Sequence, residues 1–299
     1  FSPQLRWIDV ISDMAFLVMD LQRLGRRRLA ALVLDRWLGF SGDYTGLRTW
    51  HWYRVYRALV RAKVNALRLE QKEVGARERA ERQAQLGVYL DLAMATTRAD
   101  RPALVITHGV SGSGKSHVSR ALCRRLGWLQ IRSVVERKRL FGQWGEPWPR
   151  PLSGDPYRTE VGTHLYGERL PACARAALEG GFSVVVDATF LTREARQHMR
   201  RLADAGGWRF LILDFRTGND LALRRIEERR RRGGDPSDAD EAVLRRQILS
   251  REPLSQAEQG SSLPVEAAGG AGRSGLEGRS EDGAAERLAQ TLLERLGQP

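Results

Sequence analysis

The eight residues Gly109-Val110-Ser111-Gly112-Ser113-Gly114-Lys115-Ser116 fit Gly-x-x-x-x-Gly-Lys-Ser, and no other stretch limits the possible folds as much. Glycine at 109 and 114 admits backbone angles that a Cβ forbids, and Gly112 and Ser113 keep the loop small. Successive N–H groups in such a loop turn toward a shared centre, and the positive end of the next helix closes an anion cradle. Lys115 supplies a point charge for the β- and γ-phosphates, and the Ser116 hydroxyl can bind the Mg²⁺ that bridges them. The flanks provide the required setting. Ala103-Leu104-Val105-Ile106-Thr107 suits a buried parallel strand, and Val118, Leu122 and Leu126 recur at helical spacing until Gly127. Gly109 to Ser116, with His117 on the same first helical turn, are therefore the expected nucleotide-binding residues.

Around this motif the chain divides into two parts. Residues 1–98 read as helices: an apolar face over Leu5–Leu24, a second over Leu29–Leu38 ending at Gly39, and a long helix from Tyr44. Glu70–Gln85 carries alternating charges that favour a solvated helix, Leu86–Met94 is apolar again, and Thr96–Pro102 reads as a linker. From 103 onward strands alternate with helices, as in a parallel sheet covered on both faces. Further strands are expected at Leu129–Ser133, Phe182–Val186, Trp208–Phe215 and Leu263–Ala267. Helices are expected at Glu160–Glu179, Thr192–Ala205 and Asn219–Arg232, and Ser237 with Asp240 suggests a capping box for another. Gly269–Gly283 is of low complexity, and leucines 288, 292, 293 and 296 mark a last amphipathic helix.

Bulk properties exclude several classes. The 299 residues suffice for two cores, and the formal charge is +13, yet only Lys63, Lys72, Lys115 and Lys138 are lysine. The arginines alternate with acids along helices, without aromatic interleaving, which argues against a nucleic-acid partner. Cys123 and Cys173 stand far apart with no metal-ligand spacing, as in a reduced cytoplasmic protein without structural zinc. No apolar run approaches the roughly 20 residues of a membrane span. A small-molecule acceptor is the expected partner.

Two further groups could carry chemistry. Asp187 ends the third strand, at the sheet edge where ligands of doubly wound folds bind, and is expected to hold Mg²⁺ together with Ser116. Arginines 224, 225, 229, 230, 231 and 232 crowd one helix before Gly233-Gly234. A lid that closes over phosphates would bring two or three of them to the transferring group, and Arg229 and Arg232 lie nearest the glycines. Lys115, Asp187, Arg229 and Arg232 are thus the expected catalytic residues. Ser133, Glu136, Arg137 and Lys138 follow the second strand, on the acceptor side.

The glycine loop, Ile131-Arg132-Ser133 with Arg137-Lys138-Arg139-Leu140, Asp187-Ala188-Thr189-Phe190, and Asp235-Pro236-Ser237-Asp238-Ala239-Asp240 occur in this order. The set resembles the P-loop kinase half of bacterial proteins in which an aminoglycoside phosphotransferase-like domain is fused to an ATP-binding domain. That half is similar to zeta-toxin, gluconate-kinase and polynucleotide-kinase relatives. Leu5-Arg6-Trp7-Ile8-Asp9-Val10, Asp13-Met14-Ala15-Phe16-Leu17 and Ser41-Gly42-Asp43-Tyr44 resemble the C-terminal helices of the fused phosphotransferase-like lobe. The resemblance implies a P-loop kinase-like α/β domain over 99–299 and an all-α remnant of that lobe over 1–98. It also implies ATP and Mg²⁺ as cofactors.

The chain departs from that pattern in two places. No His-x-Asp-x-x-x-x-Asn catalytic loop is present, so the first part is expected to be inactive, with Asp9 and Asp13 structural. Where the family shows Arg-Ser-Asp, this chain has Arg132-Ser133-Val134, and valine can neither take a proton nor bind a hydroxyl. Asp155 or Asp187 could substitute. Three activities remain open: phosphorylation of a small-molecule hydroxyl, a non-catalytic nucleotide-binding module favoured by Val134, and a 5′-hydroxyl nucleic-acid kinase favoured only by the charge.

Overall fold

The computed structural model describes residues 7–96, 101–145, 151–233, 236–266 and 277–297, with side chains of the last helix described from 283. Helix α1 (Val10–Arg23) is capped by Asp9, whose carboxylate accepts from the Ile11 N–H at 2.9 Å. Then come α2 (Arg27–Ser41), a 3-10 turn (Thr45–Thr49), α3 (Trp50–Leu69) and α4 (Ala76–Thr96). Gly39 does not stop α2. Gly42 does, at φ 71°, where the Gly42 N–H donates to the Leu38 carbonyl. The charged stretch from Glu70 is not helical throughout, because residues 70–75 turn, Val74 is buried, and α4 begins only at Ala76. The expected linker falls largely outside the described residues.

The second part contains β1 (Ala103–His108), α5 (Lys115–Leu126), β2 (Leu129–Arg132), α6 (Ser133–Leu140) and α7 (Thr159–His164). A π-helical segment (Leu165–Arg169), α8 (Leu170–Glu179), β3 (Val184–Asp187), α9 (Arg193–Gly206) and β4 (Arg209–Arg216) follow. The remainder is α10 (Asn219–Arg232), α11 (Glu241–Ser250), α12 (Gln256–Gly260), β5 (Ser262–Glu266) and α13 (Glu277–Arg295). The five strands pair in parallel in the order β2-β3-β1-β4-β5, with helices on both faces. This is the expected P-loop kinase-like α/β architecture. Every residue of β1 is buried, as a central strand covered on two faces requires.

Local differences have local causes. The helix expected over Glu160–Glu179 loosens into the π segment in its middle, a departure that side-chain periodicity does not register. Ser237 does not cap α11. Asp240 does, accepting from the Val243 N–H at 2.9 Å, and the capping box belongs instead to Ser255 and Glu258 on α12. Most of Gly269–Gly283 lies outside the described residues. No helix among the described residues is long and apolar enough to cross a membrane.

The helical part and the sheet share a core. Ile11, Leu34, Leu38, Leu47 and Trp50 belong to the same buried cluster as Leu104, Ile131 and Val186. Polar contacts reinforce this contact. Asp35 of α2 accepts from the Gln130 N–H on edge strand β2 at 2.8 Å, and burial raises the Asp35 pKa against that bond and nearby arginines. Glu136 of α6 is fully buried and receives Arg169 at 2.7 Å and Arg139 at 3.4 Å. Arg139 also donates to the carbonyls of Phe40 and Gly39 at 2.6 and 2.7 Å, and Arg169 to that of Gly42 at 3.1 Å. A Cβ at Gly42 would lie 2.5 Å from the Arg139 Nε, so the glycine is required twice over.

Removing one partner of a buried ionic cluster leaves the others desolvated and uncompensated, at a cost of about 3–5 kcal/mol. Glu136→Ala is expected to lower unfolding free energy by that order in urea titrations. A loss comparable to a surface substitution would show that the cluster does not hold the two parts together.

Candidate functional site

The loop after β1 takes its shape from three glycines at positive φ: Gly109 at 145°, Gly112 at 78° and Gly114 at 91°. Gly112 is also constrained by space, since a Cβ there would lie 2.3 Å from the Ala222 carbonyl oxygen of α10. Below the loop, the Thr107 hydroxyl donates to the Ala188 carbonyl at 2.6 Å and accepts from the Ala188 N–H at 3.0 Å. The Gly109 N–H donates to the Thr189 carbonyl at 3.1 Å. The ends of β1 and β3 are thereby clamped together, and Asp187, 4% exposed, stands beside the start of α5.

Gln130 connects the two sides. Its Nε2 donates to Asp187 Oδ2 at 3.1 Å and to the Ser116 carbonyl at 3.3 Å, while Arg132 Nε lies 3.5 Å from the same Oδ2. The Lys115 ammonium bends back onto its own loop, donating to the Val110 carbonyl at 2.6 Å and Ser113 Oγ at 3.2 Å. Burial holds its pKa down at about 8, with the Asp187 carboxylate acting in the opposite sense. From α11, Gln247 Oε1 accepts from the Ser111 N–H at 2.7 Å.

Ser111, Lys115, Ser116, Arg132, Asp187 and Gln247 line a cleft of ≈ 270 Å³. Of the sequence-predicted residues, Ser111, Gly112, Gly114, Lys115, Ser116, His117, Asp187 and Arg229 line it. Gly109, Val110 and Ser113 frame it instead: Val110 packs in a cluster with Leu191, Ala222, Ile226 and Leu244, and the Ser113 carbonyl accepts from Thr217 at 3.3 Å. Arg232 is not brought in. Its side chain is 69% exposed and lies 3.7 Å from Glu228 on its own helix. Arg225 takes that place, because it shares a helix face with Arg229 and stands one turn nearer the phosphate loop, beside Gly114, whereas Arg232 lies at the far end of α10. Asp155 is not brought in either, and caps an exposed turn by accepting from the Tyr157 N–H at 2.8 Å.

Tyr157, Tyr166, Gln130 and Gln247 were missed by the sequence reading. Gln130 carried a usable signal, a polar side chain between the apolar Leu129 and Ile131. Tyr166 carried none, since its place on the cleft wall depends on the π segment. There its hydroxyl lies 2.8 Å from Thr189 Oγ1, and its ring meets Phe190 edge-on. Phe190 is the one described non-glycine residue at positive φ, 41°.

The oxygen donors fit Mg²⁺. This ion is commonly held by one or two carboxylates, water and substrate phosphates, and Asp187 and the Ser116 hydroxyl line the same cleft. Among the described residues no three His, Cys, Asp or Glu side chains converge as a self-sufficient metal site.

The sequence family described as AAA domain matches residues 104–254, just over half of the chain. The chain belongs to this AAA domain family. The match runs from β1 to the segment after α11, so the AAA domain contains the glycine loop, Asp187 and the arginines of α10. An uncharacterized protein of Mycobacterium tuberculosis is 33% identical over 210 residues, covering 68% of this chain and 40% of that protein. The chain thus matches about two fifths of the length of this curated relative. Among solved structures, a gluconokinase from Sinorhizobium meliloti 1021 is 21% identical, covering 66% of this chain and 99% of that one, with a TM-score of 0.39. Kti12 of Chaetomium thermophilum, solved with ADP-AlF3, is 13% identical over 64% of this chain and 98% of that one, with a TM-score of 0.46.

The Lys115 pKa gives a signed expectation. Below pH 8 the ammonium is already charged; above it the side chain must gain a proton when a polyphosphate arrives. Nucleotide affinity is therefore expected to fall by up to about tenfold per pH unit above that point, with proton uptake on binding. Calorimetry in buffers of different ionisation enthalpy reads this uptake. Zero uptake at pH 8.5 would contradict it.

Proposed function

We propose that this protein uses Mg²⁺·ATP to phosphorylate a hydroxyl of a small molecule. The observation carrying the proposal is the meeting, in one cleft, of a glycine loop and its lysine with a buried strand-end carboxylate and two arginines from α10. Loop amides and Lys115 would hold the β- and γ-phosphates, and Ser116 and Asp187 would bind the metal. When bound, Mg²⁺ neutralises charge on the bridging phosphate oxygens. Arg225 and Arg229 would counter charge on the transferring group, and closure of α10 and α11 would exclude water. The acceptor oxygen bonds to the γ-phosphorus as the bridging P–O bond breaks, and ADP leaves with the electron pair. Asp187 is the only carboxylate lining the cleft among the described residues, and it would receive the hydroxyl proton.

Within this reading, residues 99–299 are the kinase-like unit. Residues 1–98 are the helical end of an aminoglycoside phosphotransferase-like lobe that contributes packing rather than catalysis. A second reading has one specific observation behind it: Val134 lines the cleft where the resembled family carries an acid, which suits a nucleotide-binding module without turnover.

Lys115→Ala is expected to weaken ATP binding by at least about a hundredfold, the loss of a buried charge-assisted contact. Asp187→Asn should remove most of the Mg²⁺-dependent gain in affinity while leaving metal-free binding nearly unchanged. Equilibrium titrations with and without Mg²⁺ check both, and wild-type affinity in Lys115→Ala would falsify the loop assignment. If phosphorylated product forms only with Val134→Asp, across a broad acceptor screen, the second reading replaces the first.

A further inference from the structure

The charges of the cleft identify the class of acceptor, an inference that rests on the kinase reading above. Among the described lining residues Lys115, Arg132, Arg137, Arg225 and Arg229 are cationic, and Asp187 alone is anionic. These cations fall on two sides. Lys115 is part of the phosphate loop, and Arg225 Nη1 lies 3.5 Å from where a Gly114 Cβ would be, so that side faces the triphosphate together with Arg229. Arg137 stands on α6, after β2, on the side of the cleft that also contains Ser133, Tyr157 and Tyr166.

Arg137 has the features of a ligand-holding group. Its guanidinium stacks on the Tyr157 ring, 4.6 Å from the centroid, and its Nε is buried without a hydrogen-bond partner. Held over that ring, the guanidinium keeps its Nε–H as a donor for a planar or tetrahedral oxyanion. Val134 contributes by what it lacks. A carboxylate at that position would repel an acid in the substrate, and valine does not. In the same cleft, the paired hydroxyls of Tyr166 and Thr189, 2.8 Å apart, share the lining with Asp187 and offer both a donor and an acceptor to an alcohol.

We propose that the acceptor is a hydroxylated small molecule bearing its own carboxylate or phosphate, with that anion on Arg137 and the reacting hydroxyl between Thr189 and Asp187. Transfer then balances as R–OH plus ATP giving the phosphate ester, ADP and a proton, with no further reactant. Cationic amino sugars would face four arginines against one carboxylate, and the site disfavours them.

The test uses the full chain saturated with Mg²⁺·ADP. Matched probes of one skeleton are titrated calorimetrically: gluconate, glucose 6-phosphate, glucose and glucosamine, with glycerate, glycerol 3-phosphate and glycerol as a shorter set. Binding confined to the acid-bearing members is expected, and comparing carboxylates with phosphates tells which oxyanion Arg137 prefers. Arg137→Met should weaken that binding by at least about tenfold with ADP affinity unchanged, and Arg137→Lys should restore part of it. Equal or tighter binding of a neutral or amino member overturns the proposal. So does absence of binding by every acid, or indifference to Arg137→Met in a protein that still binds ADP. Failure to bind ADP itself would instead strike the kinase reading, so the two failures are separable.

Discussion

The parallel register of β1 against β3 is the constraint on which the site depends. Leu104, Val105 and Ile106 lie opposite Val184, Val185 and Val186, all fully buried, so a slip by one residue would exchange the side chains of two close-packed cores. With that register set, the turn after β1 and the carboxylate ending β3 must emerge side by side. Thr107 then bonds across the gap to both polar groups of the Ala188 backbone. Position therefore follows from apolar packing, while charge is added only at the last residues of the strands.

The edge of the sheet shows a second use of buried polarity. β2 is an edge strand, and such strands expose unpaired backbone groups. Here Asp35 from α2 takes one of those N–H groups, and the side chain of the same Gln130 reaches Asp187 and the Ser116 carbonyl. A run of bonded groups thus connects the helical first part to the phosphate loop through a single residue. The Glu136 cluster lies nearby on α6 and satisfies carbonyls at the end of α2. Burying three charged side chains is costly, and this one is matched by backbone oxygens that the helix end would otherwise leave without partners.

The sequence made most of the sheet and loop readable, because buried parallel strands leave dense apolar runs and the phosphate loop needs fixed residue types. Strand positions came out within two residues, and α10 at its observed bounds. Legibility failed where a residue's role depends on partners distant in sequence. Arg196 looks like a surface arginine on an amphipathic helix. It is in fact buried, donating to the carbonyls of Phe190, Leu191, Glu252 and Pro253 and pairing with Glu258, whose pKa lies at about 2. Burial opposes that low value, and the Arg196 and Ser255 bonds outweigh it. Likewise Arg232 seemed as eligible as Arg229 from its nearness to glycine, but those glycines end α10 on the side away from the phosphate loop, and Arg232 lies exposed there beside Glu228. Gly39 misled for the opposite reason: a glycine is tolerated inside a helix, and only Gly42 adopts the left-handed angles that end one.

The bond from the Ser111 N–H to Gln247 has a bearing on how the cleft exchanges its contents. A phosphate oxygen that claims this donor must displace the glutamine side chain, so capture of ligand and loss of this bond within the chain are two sides of one exchange. The loop thus has an internal rival for its donor, and part of what a ligand gains there is spent on that displacement.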